Sequence, residues 1–282
     1  MFYFLHNNIP QAILIKIGPI SIYWYGLLIA LGLIIGTQIV FYLAKQYQEN
    51  KDLLADLIFG LMLAGLIGAR LYDVIIEYEY YFDNISEIVK VWHGGLAIHG
   101  GLIAAGFYLW FFSRRRGKNF WFLGSLLTPA LAFAQAIGRF GNYFNQELYG
   151  RPTNLPWGIP IEAGHRLPEL SAFSYFHPTF IYESLGNLII FMILLFMHKK
   201  IDNRFGQKYR LIVFVYFFAY SLLRFNLEWI RVDPTWEFFG WRWPQIVSLA
   251  VFAALAWLGK KELSHFVRLI ITKNRISRKI NS

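Results

Sequence analysis

Residues 122–150 read "FLGSLLTPALAFAQAIGRFGNYFNQELYG", and this stretch decides which fold class the chain belongs to. Its first part is apolar over about the length that crosses hydrocarbon as a helix. Arginine, asparagine, glutamine and glutamate side chains follow directly. Such groups are costly at membrane depth, so they indicate a buried polar site at the end of a span.

The composition of the whole chain supports a membrane protein. Of its 282 residues, 56% are hydrophobic, 19% are aromatic and 16% are charged. In a typical soluble domain, roughly a quarter of the residues are charged. The first residues, "MFYFLHNNIPQAILIKIGPI", lack the basic start and small-residue cleavage site of a signal peptide. We therefore expect an all-α polytopic membrane protein that retains its first apolar segment.

About seven transmembrane helices are predicted from the apolar runs. They lie at approximately 20–43, 53–76, 95–112, 121–141, 179–197, 210–227 and 244–259. Basic loops such as "SRRRGK" and "HKKIDNRFGQKYR" alternate with the acidic "EYEYYFDNISE" and the mixed "VDPTWEFFGWR". By the positive-inside rule, the N-terminus is then outside and the C-terminus is cytoplasmic.

The predicted organisation is one transmembrane catalytic domain over residues 1–260, followed by a basic cytoplasmic tail at 261–282. An ordered extracytoplasmic loop is expected at about 142–178, which is rich in proline and aromatic residues. The tail is either an amphipathic helix on the inner leaflet or disordered. The net charge of +10 is explained by basic loops that orient the protein in the membrane and contact anionic membrane lipids. We therefore expect no nucleic-acid partner.

The chain contains no cysteine, which excludes disulfides, thiolate metal ligands and a cysteine nucleophile. The HExxH motif of zinc peptidases and the GxSxG motif of serine hydrolases are also absent from the sequence. We expect no metal and no cofactor. Any thiol chemistry must use a thiol that the substrate brings.

Three polar clusters lie at the ends of predicted spans. The first is "WHGGLAIHGGLIAAG", in which His99 is either a general base or a histidine that bonds to a neighbouring helix. In the second, a helical start would place Arg139, Asn142 and Gln146 on one face, with Gly138 and Gly141 opposite. This cluster is either a phosphate anchor or a network that closes the helix end.

The third cluster is "YSLLRFNLEWIRVDP", in which Arg224, Glu228 and Arg231 recur at helical spacing. Glu228 would neutralise one arginine and leave the other for an anion, or the three would form a structural ion-pair ladder. Weaker signals in "GARLYD" and "HPTFIYE" are interpreted as packing and pairing.

Residues 138–150 resemble the signature of bacterial phosphatidylglycerol–prolipoprotein diacylglyceryl transferases, approximately G-R-x-G-N-[FY]-x-N-x-E-x-x-G, at every fixed position. The segments "YWYGL", "GAR", "HGGL", "HPTFIYE" and "YSLLRFNLEWIR" match family segments in the same order, so the resemblance covers about residues 18–260. It implies a seven-helix inner-membrane enzyme. Such an enzyme transfers the diacylglyceryl group of phosphatidylglycerol to the lipobox cysteine of a prolipoprotein signal peptide and releases glycerol phosphate.

The resemblance also implies a set of site residues. The catalytic positions are His99, Arg139, Arg224 and Glu147. The phosphatidylglycerol-binding positions are Arg139, Asn142, Asn145, Arg224, Glu228, Arg231, Tyr25 and Tyr220. Tyr23 departs from members that have histidine at this position, and it receives no role; His93 is also left out of the site.

The implied reaction is displacement at the glycerol carbon that bears the phosphate ester. Arg139 and Arg224 would hold the phosphate, and His99 or a neighbouring glutamate would accept the thiol proton. A lipid or anion transporter is the alternative, because arginines inside a helix bundle bind anions equally well. The sequence shows no inverted repeat of the kind that transporters carry.

Overall fold

A computed structural model gives the structure of the protein, and it describes residues 2–200 and 208–259. The described part is mostly helical. The α-helices are α1 (Phe2–Asn7), α2 (Trp24–Gln46), α3 (Lys51–Ile76), α4 (Tyr78–Asp83), α5 (Ile98–Arg115), α6 (Phe120–Phe144), α7 (Thr179–Lys200), α8 (Lys208–Leu227) and α9 (Trp243–Gly259). Short 3-10 helices cover Ile85–Val89, Val91–His93, Ala163–His165 and Pro168–Leu170. The predicted tail at 261–282 lies outside the described residues.

Five of these helices, α2, α3, α6, α7 and α8, are long and apolar enough to cross a membrane. α5 and α9 are shorter or less apolar, and they coincide with the third and seventh predicted segments. Each of the seven predicted segments therefore overlaps a helix, and five of these helices meet the length and composition of a span.

Three two-stranded antiparallel hairpins complete the described secondary structure. β1 (Ile13–Ile17) pairs with β2 (Ile20–Tyr23), β3 (Ile159–Pro160) with β4 (Tyr175–Phe176), and β5 (Glu237–Phe238) with β6 (Trp241–Arg242). The expected start of the first span at residue 20 is therefore wrong. β2 occupies residues 20–23, because the β-branched isoleucines at alternate positions and the tyrosine favour a strand there. The helix begins at Trp24.

Two compact units are present, residues 1–35 with 131–282 and residues 36–130. In the second unit, α3 packs closely on α5 at glycines. A Cβ atom on Gly68 would overlap Ala104 and the carbonyl of Gly100, and one on Gly100 would overlap Tyr72. Small residues at this crossing let the two backbones touch, as in other membrane helix pairs.

Arg70 of α3 has a structural role in the second unit. Its guanidinium is buried and donates to the carbonyl oxygens of Ile88 at 2.9 Å, Gly94 at 2.6 Å and Gly95 at 2.8 Å. Asp73 lies 3.8 Å from the same group and accepts a hydrogen bond from Tyr81. The interpretation of "GARLYD" as pairing and packing is confirmed.

In the first unit, the segment after α6 folds into an ordered loop with its own core. The buried side chains of this core are Leu5, Tyr143, Tyr149, Ile159, Ile161, Phe176, Phe180 and Ile181. α1 joins the core, since His6 stacks on Tyr175 with ring centroids 4.4 Å apart. The loop begins at residue 145 and not at 142, because α6 continues to Phe144.

Gly150 ties this loop to the segment that follows α8. It forms an antiparallel bridge with Arg231, and its N–H donates to His177 O at 2.9 Å. A Cβ atom at this position would lie 2.8 Å from His177 Cβ and 2.9 Å from Ile230 Cγ2. Only glycine fits without movement of these neighbours. Backbone hydrogen bonds thereby fix the end of α6, the start of α7 and the end of α8 relative to one another.

Candidate active site

Glu183, in the first turns of α7, lies at the centre of the polar groups in the first unit. It is 1% exposed, and its Oε1 lies 2.6 Å from Arg139 Nη2 of α6. Its Oε2 lies 3.7 Å from Arg224 Nη1 of α8 and 3.7 Å from Arg231 Nη1. One carboxylate therefore joins arginines from three parts of the chain.

A second set of ion pairs extends from this centre toward β6. Glu228 Oε2 lies 2.9 Å from Arg224 Nη2, and Glu228 Oε1 lies 3.4 Å from Arg242 Nη1. Arg231 Nε donates to Asp233 Oδ1 at 2.7 Å. Arg242 also donates to the backbone oxygens of Glu228, Arg231 and Asp233. Arg242 thus holds the chain that leaves α8 against the cluster.

We call these seven residues the arginine–carboxylate cluster: Arg139, Glu183, Arg224, Glu228, Arg231, Asp233 and Arg242. Its four guanidinium groups face three carboxylates, so it carries one excess positive charge. Arg224 Nη1 is buried and has no hydrogen-bond partner among the described residues. Its ion pair with Glu183 Oε2 at 3.7 Å leaves Nη1 without a hydrogen bond, and an anion that accepted from it would supply one.

The second predicted cluster is partly assembled as expected. Arg139 Nη1 lies 3.3 Å from Asn142 Oδ1, as their spacing on one helix face predicts. Asn142 Nδ2 donates to Glu147 Oε1 at 2.8 Å, and Asn145 Nδ2 lies 3.5 Å from the same oxygen. A chain of hydrogen bonds therefore runs from the arginine to an exposed carboxylate at the helix end.

Gln146 does not share this face. The helix ends at Phe144, and Gln146 adopts a left-handed conformation with φ of 53°. Its Oε1 accepts from Glu162 N at 2.7 Å, and its Nε2 donates to Pro10 O at 3.2 Å. The expectation that continued the helix through residue 146 is wrong, because the backbone reverses there to enter the loop.

Two tyrosines lie beside Arg139. Tyr220 of α8 and Tyr25 at the start of α2 are both close enough to interact with its charge. The Tyr25 ring packs against Gly141, where any Cβ atom would overlap it. Gly138 has no atom within 4 Å of a Cβ built on it, among the described residues. Of the two glycines, Gly141 is thus the one that close packing requires.

His99 belongs to the second unit. It lies in the first turn of α5, its side chain is exposed, and its ring centroid is 6.2 Å from that of Tyr72. His93 pairs with Glu87 at 2.6 Å in the same unit.

Two cavities open beside the cluster in the first unit. One, of about 480 Å³, is lined by charged residues that include Arg151, Glu228, Arg231, Asp233 and Arg242. The other, of about 310 Å³, is lined by residues 145–149, together with His165, Leu167 and residues 232–234. Both have room for a small polar head group next to the ion pairs.

The sequence predicts only packing and pairing for Glu183, whose pairing is confirmed, and it predicts no role for Asp233 or Arg242. A glutamate within the apolar run that begins at "HPTFIYE" was the available signal for Glu183, because an ionisable residue in a span indicates function. Arg242 lies in a mixed loop, and nothing in its spacing relates it to Glu228.

Apolar helices around a buried arginine–carboxylate cluster are typical of a multi-pass membrane protein. Residues 12–259 match the family described as prolipoprotein diacylglyceryl transferase. Among its relatives, the phosphatidylglycerol–prolipoprotein diacylglyceryl transferase of Trichormus variabilis is 41% identical over 254 residues, which cover 88% of this chain and 90% of the relative. The proteins with the same name from Synechococcus elongatus and Fervidobacterium nodosum are each 37% identical, covering 93% and 91% of this chain and 93% and 89% of those relatives. The chain belongs to the prolipoprotein diacylglyceryl transferase family.

Proposed function

We propose that this protein transfers the diacylglyceryl group of phosphatidylglycerol to the lipobox cysteine thiol of prolipoproteins. Membership of the family supports this reaction. The arginine–carboxylate cluster is assigned to the lipid head group because it has one guanidinium more than it has carboxylates. A phosphodiester carries one negative charge, so bound phosphatidylglycerol would make the cluster neutral.

In the proposed reaction, the thiolate sulfur attacks the glycerol carbon that bears the phosphate ester. A carbon–sulfur bond forms, the bond from that carbon to the phosphate oxygen breaks, and the electron pair leaves with glycerol phosphate. The leaving phosphate gains negative charge as the bond breaks. We assign the stabilisation of that charge to Arg139 and Arg224, and this role is supported by Arg224 Nη1, which makes no hydrogen bond among the described residues.

The thiol proton must leave, since the thiolate is the reactive form. We propose His99 as the base, with Glu147 as the second candidate. Glu147 is exposed and hydrogen-bonded to Asn142, so it would also orient that amide toward the arginine. A third possibility is that the arginines lower the pKa of the thiol enough to need no dedicated base. His99→Gln tests the first candidate, because near-normal transfer by this variant removes His99 from the role.

We further propose a single transmembrane catalytic domain over residues 1–260, with seven spans in a bacterial inner membrane and a cytoplasmic tail at 261–282. The N-terminus is outside and the C-terminus is cytoplasmic. The helices at 98–115 and 243–259 support the two additional spans. The arginines lie at the ends of α6 and α8 that are opposite to the basic loops, which supports an active site toward the outer side.

A reconstituted transfer assay tests the proposed function. Purified protein in micelles of phosphatidylglycerol receives a peptide with a lipobox cysteine, and mass spectrometry measures the diacylglyceryl mass added to it. We expect modification by the wild type and at least a hundredfold slower modification by Arg139→Ala, because the loss of a charged contact in the transition state costs on the order of 3 kcal/mol. Arg116→Ala is the matched control, since Arg116 is exposed and pairs with Asp56 at 3.0 Å.

The alternative reading is a lipid or anion transporter. It predicts that a folded wild type binds phosphatidylglycerol and leaves the peptide unmodified. That result would refute the transferase.

A further inference from the structure

Asn187 of α7 is a buried amide that the proposed reaction does not yet use. It is 0% exposed, and neither Nδ2 nor Oδ1 has a hydrogen-bond partner among the described residues. An unsatisfied polar group in the interior is unfavourable. The Nδ2 and Oδ1 atoms of Asn187 are therefore available to bind a group that enters between the helices.

The position of Asn187 relates it to the arginine–carboxylate cluster. It follows Glu183 by four residues, which places it on the same face of α7, about 6 Å further along the helix. Glu183 lies near the loop end of α7, so Asn187 lies one turn deeper among the helices. Ser184 on the neighbouring row donates to Ala136 O of α6 at 2.8 Å, so this side of α7 packs against α6.

The helices that carry Arg139 and Arg224 have polar residues at the same depth. Gln135 precedes Arg139 by four residues on α6, and Tyr220 precedes Arg224 by four on α8. One turn deeper again, Tyr216 donates to Gln135 at 3.1 Å. Gln135 thus has a partner, and Asn187 is the amide at this depth that has none among the described residues.

We propose that Asn187 Nδ2 donates a hydrogen bond to an acyl ester carbonyl of the bound diacylglycerophospholipid. This inference rests on the proposed function. The phosphate at the cluster is joined through the glycerol carbons to the ester groups, which lie on its hydrocarbon side. One helical turn below the arginines, the ligand presents ester oxygens, which only accept hydrogen bonds. An amide N–H with no partner is the complementary group. Asn187 therefore selects diester lipids.

A comparison of ester and ether lipids tests this assignment. Dialkyl-ether phosphatidylglycerol has the same head group and chain length but no carbonyl oxygens. We expect the wild type to use the diester with a kcat/KM roughly five- to tenfold higher than that of the diether, which is the range of one hydrogen bond. In Asn187→Leu the ratio falls to about one.

Ser184→Ala is the matched control, because Ser184 is also buried and polar on α7 but has its partner within the protein. It should keep the ester-to-ether ratio of the wild type. Asn187→Leu is expected to fold, since an apolar side chain of similar volume removes an unsatisfied group. If that variant is not recovered, Asn187→Ala gives the same comparison, because alanine also has no side-chain donor.

A ratio that is unchanged in Asn187→Leu would overturn the assignment. A raised KM for the peptide with an unchanged lipid ratio would overturn it as well, and would assign the amide to the signal peptide. The proposed function has its own test in this experiment, since it predicts that the wild type transfers the diacylglyceryl group from the diester lipid. No transfer from either lipid would refute both.

Discussion

Glu183→Gln is the substitution that most directly tests how the cluster is held together. The carboxylate is 1% exposed and lies 2.6 Å from Arg139 Nη2, with Arg224 and Arg231 each at 3.7 Å. The glutamine keeps the shape and removes the negative charge. The three guanidinium groups then remain buried with one counter-charge fewer.

The magnitude follows from burial. Removal of one partner from a buried ion pair costs about 3–5 kcal/mol, because the other charge stays out of water without compensation. At about 2–4 °C per kcal/mol for a chain of this size, Glu183→Gln should lower the Tm by roughly 6 to 20 °C.

Thermal unfolding in detergent micelles, followed by tryptophan fluorescence, measures this shift. Glu147→Gln is the control, because Glu147 is an exposed carboxylate that accepts from Asn142 and Asn145. Its Tm should change by at most about 4 °C. Equal shifts for the two variants would refute the reasoning that Glu183 is the central counter-charge. A Tm of Glu183→Gln that rises would do so too, as it would mean that the buried carboxylate is itself destabilising.

Two further predictions concern packing and pH. Gly141→Ala should lose about 1–3 kcal/mol of stability, because the added Cβ overlaps the Tyr25 ring. Gly138→Ala should be neutral or gain up to about 1 kcal/mol, because alanine has the higher helix propensity and meets no neighbour. Equal Tm values for the two variants would contradict this prediction. Burial acts to raise the pKa of Glu49, but the hydrogen bond from Lys118, the hydrogen bond from Asn50 N–H and the charge of Lys118 together outweigh it and hold this pKa below its usual range. The pair therefore stabilises the fold above the ordinary carboxyl pKa and loses this contribution as pH falls through the lowered one, so the Tm difference between wild type and Glu49→Gln should shrink as the pH falls from 7 toward 4.

The sequence predicted the elements well because hydrophobic length is a strong signal in a membrane protein. It also predicted contacts across one helical turn, such as Arg139 with Asn142 and Arg224 with Glu228, since these depend only on the helical repeat. The ends of elements were less accurate. Residues 20–23 are as apolar as the helix that follows, so composition alone did not separate the strand from the span.

The spacing of residues along the chain does not predict contacts between different helices and strands. The pairing of Glu183 with three arginines depends on which helices are neighbours, and periodicity carries no information about that. Arg231 lies beyond the end of α8 at Leu227, so helical spacing did not determine its place. The backbone bridge to Gly150 brings it to Glu183, and Arg242 returns through the β5–β6 hairpin.

The bridge at Gly150 also bears on how this protein can be engineered. Arg151 N donates to Ile230 O at 2.8 Å, and His177 N donates to Arg151 O at 3.0 Å, so both ends of the loop are fastened by main-chain atoms. Main-chain fastening does not depend on the side chains between the two ends. The exposed residues 163 and 164, in the middle of the loop, are thus a place for a reporter or an affinity tag. An insertion there would leave the three helix ends, and the charges they carry, in register.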